Sequence, residues 1–464
     1  MFDMKIIIIG AGPGGYETAL VAANRGVEVV LVEAGPVGGT CLNEGCIPTK
    51  AFCKNAEVLD SLKEAEAFGV TGLSYGFDFK TVTARKNSVV EQLRGGVEGL
   101  LGHKNITLVR GKAQFKDAHT VSVIPSEGDP LEYTADYIII ATGSVSASLP
   151  IPGADHPGLL TSREILDIEE VPQRLCVIGG GVIGLEFASI FRSFGSEVTV
   201  VEYCKDILPR FDTDLAKRLK QSLGKRGIEI NTQAQVTSVS ENDGEYTVSF
   251  TRKGKEESVV ADKVLMAVGR KANVGSLNLA DAGIEFTPRG IVVNDVMQTN
   301  VPHIYAVGDV NGKMMLAHAA TFQGIVALDH IMGIENDIDL SVMPAAVFTS
   351  PEAACVGKTE DECKEAGVPV KCLKSFFRAN GKAVTMGETD GFCKIVVAAE
   401  PKEGMESPYE PGRVLGCHLY GPHASDIVQE ACALITRKAT LKEFQDVIHT
   451  HPTLTEVLQS ALHS

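Results

Sequence analysis

Two stretches decide the fold: residues 5–15 read KIIIIGAGPGG and residues 175–184 read LCVIGGGVIG. In each, a short β-branched apolar run meets a glycine-rich turn and continues into an apolar-periodic stretch, 16–24 in the first copy and 185–194 in the second. That succession predicts strand, turn, helix. A second predicted strand follows in both copies, EVVLVE at 28–33 and EVTVVE at 197–202, and a third pair comes later, YIIIATGS at 137–144 and VLMAVGR at 264–270. The chain therefore reads as two nucleotide-binding α/β units.

Gly10, Gly12 and Gly15 form GxGxxG, and so do Gly179, Gly181 and Gly184. The first glycine of such a turn permits the tight bend, the second lets backbone approach a pyrophosphate, and the third lets the helix pack on the strand. The pyrophosphate then rests on the unpaired N–H groups of the helix N-terminus. A lone GxGxxG is a weak signal. Here each copy follows a strand, opens a helix, and is followed by a carboxylate 18 positions after its last glycine, Glu33 or Glu202. A carboxylate there accepts hydrogen bonds from ribose hydroxyls. Glu202 would repel a 2′-phosphate, and Val201-Glu202-Tyr203 holds no arginine, which predicts NAD rather than NADP. One unit is expected to hold NAD and the other FAD; the repeat alone does not order them.

A chain of 464 residues should form three or four compact units. The first carries an insertion, with amphipathic helices predicted over 50–67 and 79–101 before the sheet resumes near 106–115. Pro- and Gly-bearing 149–158 and the stretch 270–274 mark the boundaries. The expected division is two Rossmann-like domains over 1–150 and 151–272, a central domain over 273–341, and an α+β domain over 342–464, with 400–412 as a surface loop. The formal net charge of −16 argues against a nucleic-acid partner. Residues 6–9 are all isoleucine, far short of the roughly 20 apolar residues a membrane span needs, and no cleavage site follows. A cytoplasmic protein without membrane insertion is expected. Eleven scattered cysteines with no CxxC pair give neither a secreted disulfide framework nor a zinc knuckle. Nine of them read as small buried hydrophobes.

The remaining two stand in GGTCLNEGCIPTK, residues 38–50, as Cys41 and Cys46. In a regular helix, positions five apart have Cα atoms about 8–9 Å from each other, whereas a disulfide spans about 4.4–6.8 Å. A bridge therefore requires a distorted turn, which Gly45 and Pro48 can supply. A strained, reducible bridge in a reducing compartment is catalytic more often than structural.

This segment resembles the redox segment of the class I pyridine nucleotide–disulfide oxidoreductases, and the likeness runs from end to end of the chain. It implies FAD in the first unit and a nicotinamide nucleotide in the second. It makes Cys41 the thiol that exchanges with substrate and Cys46 the one beside the flavin. Gly39 and Thr40 would border the cofactor, and Lys50 would lie near the flavin, paired with Glu186. Gly111, Thr142, Gly143, Ser144 and Gly269 match nucleotide-adjacent turns. Asp309 in AVGD resembles the residue that binds the FAD ribityl chain, and Met315-Leu316-Ala317-His318 resembles the flavin-contacting segment after it. Residues 319–324 depart from the pattern, and Glu44 stands where a small apolar residue is usual. HTHPTLTE, residues 449–456, resembles the terminal motif, with His451 as acid/base and Glu456 orienting it. In the family this histidine reaches the disulfide of the other subunit, which implies a homodimer joined through the C-terminal domain. A His/Glu pair can take a proton from an incoming thiol and then stabilise a thiolate. Thr453-x-x-Glu456 also reads as a capping box for a helix over 457–462. His449 is expected as a secondary contact, and His418 and His423 as surface or interface residues.

Within the family, the paired cysteines, the NAD preference and the absence of cysteine after Cys432 favour oxidation of protein-bound dihydrolipoyl groups with reduction of NAD⁺. The expected partner is a lipoyl-bearing protein, from an oxo-acid dehydrogenase complex or the glycine cleavage carrier. Two other readings stand beside it: an NADH-dependent reductase of another small disulfide, and a flavoprotein subunit kept for docking.

Overall fold

The computed structural model describes residues 4–401 and 406–464; the part of the expected surface loop at 402–405 lies outside the described residues. The first repeat folds as β1 (Lys5–Ile9), α1 (Pro13–Asn24) and β2 (Glu28–Glu33), with β1 and β2 parallel. Ile6, Ile7, Ile8 and Ile9 are all buried. A strand covered on both faces reads as a continuous apolar run. The chain then leaves the sheet through α2 (Gly39–Glu44), α3 (Cys46–Glu64) and α4 (Phe79–Leu101). It returns as β3 (Ile106–Arg110) and, after an antiparallel three-stranded sheet, β4 (Tyr137–Ile140). The finished sheet is all parallel, in the order Ile304–Ala306, β4, β1, β2, β3. A strand from far along the chain thus completes the first unit.

The second repeat follows the same plan. It runs β5 (Arg174–Ile178), α5 (Val182–Phe194), β6 (Glu197–Glu202), α6 (Thr213–Lys225), β7 (Ile228–Thr232) and β8 (Lys263–Met266). Its parallel order is β7, β6, β5, β8, and an antiparallel three-stranded sheet again precedes the last strand. The third glycine of each turn is dictated by contact. A Cβ on Gly15 would stand 1.8 Å from the Gly10 carbonyl oxygen, and one on Gly184 would stand 2.1 Å from that of Gly179.

After α7 (Ala317–Met332) the chain builds a five-stranded antiparallel sheet. Its order is Ala345–Val347, Glu352–Gly357, Val414–Gly421, Phe392–Ala398, Val370–Phe376. The helices α8 (Ala424–Thr436) and α9 (Glu456–Leu462) share an apolar core with one face of it. Against the second unit, the same sheet presents a charge cluster. Lys394, with its side chain 2% exposed, donates to Asp212 at 2.9 Å and Asp214 at 3.1 Å and pairs with Glu360 at 2.6 Å. Fully buried Asp212 also accepts the backbone N–H groups of Asp214 and Leu215, capping α6. Among the described residues, no helix is long and apolar enough to cross a membrane.

Two expectations change. His418 is not at a surface: it is fully buried on the central strand, its Nε2 2.9 Å from the Lys358 carbonyl oxygen, and burial pushes its pKa down. Every residue of that strand is buried, so the period-2 signal that would have placed His418 is missing. Of the nine cysteines read as buried hydrophobes, Cys176, Cys363, Cys393 and Cys417 are buried, while Cys53, Cys204, Cys355, Cys372 and Cys432 are only partly covered. His423 is exposed, as expected.

Removing one partner of a buried ion pair leaves the other charge unpaired, at a cost of about 3–5 kcal/mol. Lys394→Met should therefore lower the unfolding free energy by an amount of that order, read as a fall in the urea midpoint. An unchanged midpoint would show that the cluster holds nothing together.

Candidate active site

The redox segment owes its shape to Gly45. That residue, at φ −141° and ψ −111°, ends α2 and precedes α3. A Cβ there would lie 2.9 Å from the Thr40 carbonyl oxygen and 3.4 Å from the Cys41 Cα, so the chain folds back more tightly than any side chain allows. Pro48 plays a lesser part than expected, since it sits in the first turn of α3, where its missing N–H costs nothing. Cys41 and Cys46 are free thiols, the reduced form of the expected bridge. The Cys41 thiol donates toward the Cys46 sulfur and holds Cys46 down to about 7, with help from the charge of Lys50. The same interaction, joined by burial, pushes Cys41 up. The two thiols are thus unequal: Cys46 gives up its proton more readily than Cys41.

Lys50 lies one helical turn beyond Cys46. Its Nζ donates to both carboxylate oxygens of Glu186 at 2.9 Å and sits 4.3 Å from the centre of the Phe348 ring. Glu186 also accepts the Phe348 backbone N–H at 3.0 Å. The first unit, α5 of the second and the C-terminal sheet region all meet at this point.

A single cavity of about 2450 Å³ opens beside the thiols. Every expected cofactor-side residue lines it except Gly15 and Gly184, which pack beneath their turns. The walls fit two nucleotides. A Cβ on Gly181 would meet nothing within 4 Å, leaving open space at the N-terminus of α5. Gly12 faces only the Cα of Gly39, at 3.8 Å from such a Cβ. Glu33 accepts the N–H groups of Ala11 at 2.6 Å and Gly35 at 2.7 Å. Glu202 accepts those of Cys204 at 2.6 Å and Gly180. Each carboxylate oxygen keeps a further lone pair for a ribose hydroxyl. Asp309 accepts from Ser144 Oγ at 2.5 Å, and Arg270 donates to the same hydroxyl at 2.7 Å and to the Ser144 carbonyl at 2.8 Å.

Three residues with a part here were not singled out from the sequence. Arg270 ends the VLMAVGR run, and a charge at the mouth of a buried strand was a usable signal. Gln323 accepts the Gly308 N–H and the Asn311 side-chain amide, both at 2.8 Å, and so tethers the turn that carries Asp309. Phe348 had no local signal, because its role comes from another unit.

The C-terminal pair stands apart. His451 Nδ1 is 2.9 Å from Glu456 Oε1, and Glu456 Oε2 accepts the Thr453 N–H at 2.8 Å. One carboxylate thus orients the imidazole and tightens the turn before α9. The reciprocal half of the expected capping box, the Glu456 N–H on the Thr453 hydroxyl, is missing, and that hydroxyl donates to the Thr450 carbonyl. His451 is 79% exposed and does not line the cavity of its own chain. His449 is covered and lies 2.9 Å from Glu430, whereas Ile448 beside it is 95% exposed.

The family profile described as pyridine nucleotide-disulphide oxidoreductase matches residues 4–324, and that of the family's dimerisation domain matches 343–462. The chain belongs to the pyridine nucleotide-disulphide oxidoreductase family. Among curated members, a dihydrolipoyl dehydrogenase of Chlamydia muridarum is 40% identical over 98% of this chain and 96% of its own length. One from Bacillus subtilis is 38% identical over 99% and 98%. Among solved structures, LpdA from Mycobacterium tuberculosis superposes with a TM-score of 0.90 at 27% identity, and the HOCl-induced flavoprotein disulfide reductase RclA from Escherichia coli with 0.85 at 29%, each covering 99% of both chains. Membership brings FAD and NAD as the cofactors of the two nucleotide units.

Lys50→Met should raise the ionisation midpoint of Cys46 above 7, because its nearest cation is lost while Glu186 remains. Alkylation of the reduced protein at pH 7 would slow, and the pH profile of the Cys46 peptide would shift to higher pH. An unshifted profile would refute the electrostatic role of Lys50.

Proposed function

We propose that this chain oxidises the dihydrolipoyl group of a lipoyl-bearing protein and reduces NAD⁺ to NADH, acting as a homodimer in the cytoplasm. The carrier belongs to an oxo-acid dehydrogenase complex or to glycine cleavage. The observation that carries the reading is the unequal Cys41/Cys46 pair on the wall of a cavity shared with both glycine turns. The curated relatives named dihydrolipoyl dehydrogenase support it.

In this reading the first unit holds FAD, through the Gly10–Gly15 turn and Glu33, and the second holds NAD, through the Gly179–Gly184 turn and Glu202. FAD supplies the two-electron link between the dithiol and the nicotinamide. With the cysteines bridged, His451 of one subunit takes the proton of a dihydrolipoyl thiol at the other subunit's Cys41. The outward position of His451, off its own cavity, supports that crossing. The substrate thiolate attacks Cys41 Sγ, the Cys41–Cys46 bond breaks, and Cys46 leaves as a thiolate. Lys50, whose charge favours the ionised form of Cys46, steadies the departing thiolate. The second substrate thiol, once deprotonated, attacks the substrate sulfur bound to Cys41, releasing the lipoyl disulfide and the reduced cysteine pair.

A reductase of another small disulfide is the second reading, favoured by the likeness to RclA. One assay separates them. Turnover of dihydrolipoamide with NAD⁺ and not NADP⁺ is expected; preferential turnover of glutathione disulfide with NADPH would overturn both the substrate and the nicotinamide assignment. Cys46→Ser should abolish dithiol oxidation while NADH-driven reduction of artificial acceptors persists. Chains carrying Cys41→Ser and chains carrying His451→Gln should each be nearly inactive alone and regain activity when co-expressed, because a mixed dimer holds one intact centre. Lack of recovery in a verified mixed dimer would place His451 outside the reaction.

A further inference from the structure

Between Gly39 and Thr49 the chain has one charged side chain, Glu44. It closes α2, three residues beyond Cys41 and so on the same helical face, and two residues before Cys46. It lines the cavity, and its side chain is 35% exposed. Its cation is Arg163, 3.4 Å away with a side chain 64% exposed, on the segment by which the chain passes from the first nucleotide unit to the second.

Glu44 is not needed to anchor α2. Asn43 does that: it accepts from Arg94 at 2.8 Å and donates to the carbonyls of Val37 and Gly39, both at 2.9 Å. The other charged and titratable groups near the thiols are already paired or neutral. Lys50 and Glu186 are bound to each other, Lys50 favouring the Cys46 thiolate and Glu186 opposing it. Tyr16, from α1, faces Cys41 and keeps its proton, and so does Cys53, further along α3, where burial and then Glu186 push it up. The balance of charge at the dithiol is therefore open to Glu44 and to whatever masks it.

We propose that Glu44 tunes the ionisation of the Cys41/Cys46 dithiol and that Arg163 masks it. While the pair is closed, the two charges largely cancel at the sulfurs. Without Arg163 the bare carboxylate opposes the Cys46 thiolate, so a residue of the crossing segment is felt at the thiols. The inference rests on the proposed function for its use, though not for its physics. For scale, side chains three apart on a helix have Cβ atoms about 5–6 Å from each other, and one unit charge acting over about 8–10 Å at an effective dielectric constant of about 40–80 would change a thiolate-to-thiol ratio by about two- to sixfold.

The test is the pH dependence of iodoacetamide alkylation at Cys46, followed by peptide mass spectrometry on the reduced full-length protein. At pH 6, Glu44→Gln should react about two- to sixfold faster than the unaltered chain, because Arg163 is left unopposed. Arg163→Gln should react slower by a similar factor, and the double variant should return to within twofold of the unaltered chain. High salt should shrink both shifts. Simple loosening of the segment would move both single variants the same way, and that outcome, or no movement in either, overturns the proposal. The readout needs no lipoyl turnover. Opposite shifts in a protein that fails to oxidise dihydrolipoamide would sink the function and leave this inference standing; normal oxidation without the shifts would do the reverse.

Discussion

The ion pair between Lys50 and Glu186 is the interaction on which the rest of the site depends. It places the cation of the redox helix at the junction of three units, with the Phe348 ring over the ammonium and the Phe348 N–H on the carboxylate. A pair this covered gives little net stability, because two charges had to be desolvated to form it. Its value is positional. It fixes one turn of α3 relative to α5, and Cys46 lies one turn earlier on the same helix. Whatever holds the two nucleotide units in register therefore also sets the electrostatic surroundings of the thiols.

The asymmetry of the thiols follows from backbone as much as from charge. Gly45 lets α2 fold against the start of α3, and this brings sulfurs five residues apart within reach of each other. Sharing a proton then divides them into one that ionises easily and one that does not. In the reduced pair such inequality keeps one sulfur the readier thiolate.

Much of this was legible in the chain because the signals were local. The two glycine turns, their strands and the acidic residues closing β2 and β6 fall where the repeat predicts, and α4 occupies 79–101 as its periodicity indicates. The α/β class and the family followed from the same motifs. What was not legible came from contacts between distant segments. The strand Ile304–Ala306 joins a sheet begun almost three hundred residues earlier. The burial of His418 did not show because a central strand with both faces covered carries no alternation. Phe348 matters only because the C-terminal unit folds back over Lys50. The Thr453–Glu456 spacing was read as a reciprocal cap, but only the Glu456 half forms, and the Thr453 hydroxyl donates to the Thr450 carbonyl.

Glu33 and Glu202 have a consequence for how this scaffold could change. Each is expected as a ribose acceptor, and each also ties its glycine turn to the end of a strand through two backbone N–H groups. Nucleotide choice and loop architecture are therefore written into the same atoms. Exchanging Glu202 for a basic side chain to welcome a 2′-phosphate would release Gly180 and Cys204 together, so redesign of coenzyme preference must first rebuild the loop.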